Sequence, residues 1–309
     1  MSESRLRRDP DAMAKRQGFL FIAICTLAWG SIGVIVKEVT LNAPVIAFFR
    51  LAFGMSVVIA WLAWRRRLGE LRPHTRPALL LASGAVLGAH WVTLFEAFKR
   101  LDVASTILIV FLGPVLMAAA APLVLGERLR PLSIAALTVA FGGISLIAVP
   151  DIARIDTWGV IAALISGVLF AVMLLIGKLL APKYTPSAMV VWQQGVAAVL
   201  VSPALLVAEA GEVVRALPLL VLLGMGYTGL LGILLWRAIG MLEAQQLSVM
   251  FYIEPASAVL YAWALLGEQP SWLTLVGGAL VVAAGLAIIV GERLPGGTPS
   301  MPEPILEEA

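Results

Sequence analysis

Residues Leu101 to Glu127 read LDVASTILIVFLGPVLMAAAAPLVLGE, and residues Leu242 to Glu268, 141 positions later, read LEAQQLSVMFYIEPASAVLYAWALLGE. Leu101 aligns with Leu242, Pro114 with Pro255, Gly126 with Gly267 and Glu127 with Glu268, without a gap. Each copy is an apolar run with a proline near its middle and a Gly-Glu end. The same offset pairs Gly18 with Gly159, Ile24 with Ile165, Lys37 with Lys178, Pro77 with Pro218, Gly88 with Gly229 and Ala97 with Ala238. The chain is one unit written twice.

Composition identifies the solvent. Of 309 residues, 61% are hydrophobic and only 13% charged, and the mean hydropathy is +0.97. Too little polar surface is available to cover a water-soluble globule, so the chain is an integral membrane protein. A helix needs about 20 apolar residues to cross the hydrocarbon core. Ten stretches qualify, at 18–37, 44–64, 77–98, 103–125, 131–149, 157–180, 186–208, 217–239, 244–266 and 271–290. The expected fold is all-α, with ten transmembrane helices as a five-plus-five repeat around a central cavity. A basic leader (1–16) precedes the first unit (17–149), a linker (150–156) joins it to the second (157–290), and a Pro-, Gly- and Glu-rich tail (291–309) is expected to be disordered. The first apolar run reaches Lys37 and Glu38 at full spanning length, so it reads as a helix and not as a cleaved signal.

Five is odd, so the second unit enters the membrane from the opposite side. The halves are then related by a pseudo-two-fold axis in the membrane plane, the inverted repeat of secondary transporters. With the amino terminus cytoplasmic, sixteen Lys and Arg residues fall on that side, Arg65, Arg66, Arg67, Arg128 and Lys178 among them. Only five, Lys37, Lys99, Arg100, Arg154 and Arg215, fall on the other. The excess puts both termini inside, in a bacterial inner membrane. Topology also accounts for the net charge of +3 without a nucleic-acid partner.

Several residues within the spans carry chemistry. Mid-span prolines remove a backbone bond and are tolerated where protein or a wet cavity satisfies the freed carbonyl. Pro114 and Pro255 are therefore expected to kink two symmetry-related helices, either to let the halves rock about a central site or as structural bends. Glu254 falls near the bilayer midplane, where a charged carboxylate costs at least ~2.5 kcal/mol. It suits a substrate ammonium, a carried proton, or a hydrogen-bonded place between helices. Its repeat mate is Gly113, so the acid breaks the symmetry. Arg50 lies ~9 Å into the second span by helical rise, and either snorkels to the interface or turns inward. Gln193 and Gln194 are adjacent, so at least one bonds across helices or lines a cavity.

His90 is either a packing donor or a substrate contact. Trp29, Trp91, Trp192, Tyr227, Tyr252, Tyr261 and Trp263 lie within spans, and some are expected to wall the cavity. The literal G-x-G-x-x-G at Gly224 to Gly229 has no strand before it and is no nucleotide site. Its glycines, with Gly84, Gly88, Gly142, Gly143, Gly277 and Gly278, are expected to let helices approach closely. Two histidines and the single Cys25 exclude a His- or Cys-rich metal centre, and no cofactor is implied.

In these residues the chain resembles the drug/metabolite transporter superfamily, specifically its tandem EamA-domain exporters. The resemblance covers about residues 18–290 and rests on Trp29-Gly30-Ser31, Phe49-Arg50, the two proline-centred helices ending in Gly-Glu, and the glycine-rich spans 5 and 10. It implies an inverted-repeat carrier whose spans 3, 4, 8 and 9 border a central cavity. The aromatic content is similar to that of bacterial amino-acid exporters of that family. Trp192-Gln193 and Glu254 depart from its common pattern.

The expected function is secondary export of small amphipathic metabolites, foremost amino acids, with Trp29, His90, Trp91, Trp192, Gln193, Tyr227, Tyr252 and Glu254 in contact with substrate. A multidrug or amine exporter of the same fold is the alternative. No GxxxxGK[ST] loop is present, so ATP does not drive it directly. An intramembrane enzyme is disfavoured because Ser83 and His90 stand ~10 Å apart along one helix. Ten helices enclose a cavity in a monomer, and the small-residue faces of spans 5 and 10 permit a dimer.

Overall fold

The computed structural model describes residues 10–125, 156–242 and 253–292, together with scattered positions between 131 and 146 and positions 247, 250 and 251. Helix α1 (Pro10–Trp29) and α2 (Ile32–Glu38) form the first span, interrupted at Gly30 and Ser31. Then come α3 (Ala43–Trp64), a 3-10 turn at Leu68–Leu71, α4 (Pro77–Arg100), α5 (Val103–Val110) and α6 (Leu112–Leu125). The second half supplies α7 (Thr157–Leu180), α8 (Pro186–Val201), α9 (Ala210–Val221), a π-helical segment at Leu222–Leu230 and α10 (Leu231–Met241). It continues with α11 (Ile253–Tyr261), a π-helical turn at Ala262–Leu266 and α12 (Trp272–Glu292).

Among the described residues there is no strand, and seven helical stretches are long and apolar enough to cross a membrane. Two shorter apolar helices, Ile253–Leu266 and Trp272–Ala284, fall on expected spans 9 and 10. Most of span 5 and the Gly126-Glu127 end lie outside the described residues. Helix α1 starts at Pro10, inside the expected leader, because Pro opens a helix and Ala, Met, Lys, Arg and Gln extend one into water. At the other end α12 runs to Glu292, past the expected start of the tail, whose remainder also lies outside the described residues.

Short side chains set the helix starts. Asp102 accepts from Ser105 N at 2.7 Å at the start of α5, and Asp156 accepts from Gly159 N at 3.0 Å at the start of α7. The Gly159 N–H, helped by Arg100, holds the Asp156 carboxyl below its ordinary range. Thr185 accepts from Ala188 N at 3.2 Å at the start of α8.

The halves exchange partners. Helix α1 packs on α10 and α11, while its repeat mate α7 packs on α4, α5 and α6; α3 packs on the π-helical segment, while α8 packs on α4. Glycines sit where these helices meet. A Cβ on Gly18 would come within 2.9 Å of Leu242, and one on its mate Gly159 within 2.8 Å of Leu101, which is the mate of Leu242. Gly84 and Gly88 give α4 the same intimacy with Val196 and Ala197 of α8, and Gly278 meets Leu108. Gly142 has open space beside it among the described residues.

In the first copy the helix is interrupted just before the proline. The helix breaks at Phe111, three residues before Pro114, and α6 restarts at Leu112. The carbonyl of Val110, which Pro114 cannot pair, lies against Gly167 of α7, where an added Cβ would stand 3.0 Å from it. A glycine of the opposite half thus makes room for the exposed backbone. In the second copy Pro255 is buried within helical residues, Phe251 and Ile253 before it included, and Tyr252 lies outside the described set.

The end of the second copy is built as a tie between the halves. Gly267 takes a left-handed conformation at φ 67°, where glycine carries no Cβ penalty. Glu268 Oε1 then meets Lys37 Nζ at 2.7 Å, and its Oε2 accepts from Val103 N at 2.9 Å. One carboxylate joins α2 to the start of α5. The Glu268→Ala variant is expected to lose about 1–3 kcal/mol, the range for a partly buried charge-assisted hydrogen bond, and thermal unfolding of the purified protein in detergent measures it. An unchanged midpoint would show that the tie contributes nothing.

A cavity with separated charges

Residues of both halves line one cavity. Its wall draws on both halves: Trp29 of α1, Arg50 of α3, His90 and Trp91 of α4, Ile107 and Val110 of α5, Phe170 of α7, Gln193 and Gln194 of α8, Tyr227 and Thr228 of the π segment, Trp236 of α10 and Glu254 of α11. Spans 3, 4, 8 and 9 border it as the resemblance implies, and spans 1, 2, 6 and 7 contribute too. Most of the remaining wall is aliphatic.

Arg50 is the residue at its centre that sequence reasoning left ambiguous. It does not snorkel: its side chain is 1% exposed, with the guanidinium carbon 3.6 Å from the centre of the Trp91 ring and 5.7 Å from that of Phe95. Its Nε donates to Thr228 Oγ1. Thr228 in turn donates to Leu223 O at 2.8 Å, five residues back, a bond made possible by the π-helical winding. Close approach of α3 to that winding depends on glycine. A Cβ on Gly224 would stand 2.4 Å from Phe53 Cβ, and one on Gly229 2.5 Å from Val57. The stretch that mimics a nucleotide loop is therefore a packing surface that brings Thr228 to Arg50.

Gln194 lies over Gly54, one turn along α3 from Arg50, and its Nε2 donates to Thr228 O at 3.1 Å. One of the adjacent glutamines thus bonds across helices, and both face the cavity. Several buried polar atoms here have no hydrogen-bond partner among the described residues: Arg50 Nη1, Trp91 Nε1, Gln193 Nε2 and Gln194 Oε1. Such atoms are costly when left dry. Their concentration in one wall marks a place built to hold something polar.

The aromatic contacts are anchored. Trp29 stacks on Phe251 with ring centroids 6.5 Å apart, and its Nε1 donates to Tyr227 O at 3.0 Å. Ser31 donates to Ala28 O at 2.8 Å, so the 2.7 Å contact between Ser31 Oγ and the Tyr227 hydroxyl has tyrosine as donor. His90 is stacked on Phe170, and its Nδ1 lies 3.0 Å from both the carbonyl and the hydroxyl of Ser166. A carbonyl only accepts, so Nδ1 carries the proton and His90 clamps α4 to α7 while lining the cavity.

Glu254 borders the same cavity, half-buried. Arg50 and Glu254 feel each other's charge, yet among the described residues no ion pair joins them. Trp192 stands outside the cavity: its indole N–H donates to Leu71 O at 2.7 Å, tying α8 to the turn between α3 and α4. Tyr252 lies outside the described residues. Trp263 is 58% exposed on the outer surface. No group of His, Cys, Asp and Glu suited to a metal ion occurs among the described residues.

A multi-pass membrane protein made of two interlocked repeats around a central amphipathic cavity is a transporter by architecture. The chain belongs to the EamA-like transporter family, which it matches twice, over residues 16–149 and 157–291. It is 31% identical over 243 residues to a probable terminal-alkyne amino-acid exporter of Streptantibioticus cattleyicolor, covering 75% of this chain and 81% of that one. It is 23% identical over 296 residues to an uncharacterized transporter of Bacillus subtilis (93% of this chain, 94% of the relative). It is also 24% identical over 277 residues to a pseudopaline exporter of Pseudomonas aeruginosa (88% and 96%). A crystal structure at 20% identity shares the fold, with a TM-score of 0.68 over 92% of this chain and 99% of its own.

Proposed function

We propose that this protein is a secondary carrier of a bacterial inner membrane that exports small amphipathic metabolites, foremost amino acids including aromatic ones, by alternating access, and that it is not an enzyme. The observation that carries the reading is the cavity itself, with aromatic and aliphatic walls around one cation and one carboxylate that are not paired with each other. The likeness to a probable terminal-alkyne amino-acid exporter supports the amino-acid part of it, and the likeness to a pseudopaline exporter supports export. Ten spanning helices place both termini in the cytoplasm, where sixteen Lys and Arg residues lie against five outside. The carrier works as a monomer. Pro114 and Pro255 bend the helices beside the cavity and give each half a point about which to rock, and Glu254 carries a proton in exchange for substrate.

The multidrug or amine alternative takes its support from Glu254 and is opposed by Arg50, which repels a cation. An enzyme reading has one geometric argument, the 3.0 Å contact of His90 Nδ1 with Ser166 Oγ. That nitrogen already bears a proton for the Ser166 carbonyl and cannot accept another, so the pair lacks a general base.

Radiolabelled phenylalanine offered to liposomes holding the purified protein should enter saturably, and unlabelled amino acids should compete while cationic drugs do not. Drug competition without amino-acid competition would reverse the order of the two readings. Flux that never saturates would indicate a channel.

A further inference from the structure

Arg50 is fully wrapped by protein, yet among the described residues no carboxylate forms an ion pair with it. Trp91 covers one face of the guanidinium and Thr228 takes Nε, so the fork is pinned in orientation, while Nη1 has no partner. Two further buried donors in the same cavity wall, Gln193 Nε2 and Trp91 Nε1, are equally unpartnered. A carboxylate offers two oxygens and about four acceptor positions, and arginine presents its donors in a fork that matches them. A rigid cation with idle donors on a cavity wall is pre-organised to receive an anion and costs free energy while empty.

We propose that Arg50 is the specificity residue that binds the substrate's carboxylate, with Gln193 as its second donor, while Glu254 receives the ammonium, so that the site selects zwitterionic α-amino acids over amines and over simple acids. The assignment rests on the carrier reading above and narrows its substrate class. Charge balance carries the zwitterion step. Arg50 and an ionised Glu254 sum to zero, and so does an amino acid. A bare amine would leave Arg50 unmatched and add a second positive charge to a low-dielectric site. A bare carboxylate would do the reverse at Glu254. The aliphatic and aromatic remainder of the wall receives the side chain.

The test uses full-length protein in liposomes, with labelled phenylalanine challenged by unlabelled phenylalanine, phenylalanine methyl ester, phenethylamine and 3-phenylpropionate. Wild type should prefer phenylalanine over each of the other three by about 30-fold or more, the scale of losing one partner of a buried, hydrogen-bonded charge pair. Arg50→Gln should erase the preference over the ester and the amine while keeping that over 3-phenylpropionate. Arg50→Lys, which keeps the charge and loses the fork, should retain a part of it. Gln193→Leu should weaken phenylalanine and leave phenethylamine unchanged, and it serves if the Arg50 variants fail to fold, as judged by their gel-filtration profile.

Unchanged discrimination against the ester in Arg50→Gln, or in Gln193→Leu if Arg50→Gln is unfolded, would overturn the assignment and leave the amino-acid reading standing. Wild-type uptake of phenethylamine in preference to phenylalanine would overturn both, in favour of an amine carrier. Should no probe be carried, thermal unfolding across a panel of carboxylates decides: stabilisation of wild type but not of Arg50→Gln retains the anion site without the amino-acid reading, and stabilisation of neither removes it.

Discussion

Glu254→Gln is expected to abolish proton-driven accumulation while leaving exchange of substrate across the membrane measurable. Among the described residues Glu254 is the one carboxylate on the cavity wall, and no cation lies within ion-pair distance of it. A carboxylate in the hydrocarbon region is costly to keep charged, by at least ~2.5 kcal/mol at a helix centre. In the proposed cycle Glu254 takes up a proton when the cavity opens to one side and exchanges it for the substrate's ammonium on the other. Glutamine keeps the shape and an acceptor oxygen, so substrate still binds, weakened about 30-fold by the loss of roughly 2 kcal/mol, the lower end for one partner of a buried charge pair. What glutamine cannot do is titrate. Liposomes with an imposed pH gradient should accumulate labelled phenylalanine with wild type and only equilibrate it with the variant. The same pH dependence in both proteins would remove Glu254 as the proton carrier.

The second large effect is structural, and it separates three glycines within six residues. Gly224→Val should lower the thermal midpoint sharply and eliminate substrate binding, because the new Cβ would stand 2.4 Å from Phe53 Cβ and 3.0 Å from the backbone oxygen of Arg50. Backbone cannot yield there without moving α3 as a whole. Overpacking of this kind costs about 1–3 kcal/mol or more, and the displaced helix takes Arg50 away from Thr228. Gly229→Val should behave alike, with its Cβ 2.5 Å from Val57 and 3.0 Å from the Gly54 carbonyl. Gly226→Ala is the control: its Cβ would meet only Leu222 Cδ1 at 3.6 Å, an ordinary contact. Equal tolerance at all three positions would mean that the close approach of α3 to the π segment is not what holds Arg50 in place.

Expectation and structure part company where direction matters. From sequence, Arg50 is open between snorkelling and turning inward, and Trp192 is expected against substrate. An arginine two turns inside a span has the reach to snorkel; here Thr228 and Trp91 capture it from across the cavity. Trp192, beside two glutamines that do face the cavity, points instead toward Leu71. A helix turns about 100° per residue, so neighbours in sequence face different environments, and only the packing partner decides which is which. The π-helical winding at Leu222–Leu230 was equally hidden, since it adds a residue per turn without altering apolar composition.

Composition, the 141-residue repeat and the placement of its prolines and glycines were enough to determine a membrane protein made of two helical units. Hydropathy and internal repetition are properties of the chain alone, and in lipid they leave helices as the main way to satisfy the backbone. The exchange of partners between the halves, the carboxylate of Glu268 that ties Lys37 to Val103, and the meeting of Arg50 and Glu254 in the lining of one cavity came only with the tertiary structure. Each joins residues far apart in sequence, and the distances and orientations involved are set by how close the glycine-lined helices come.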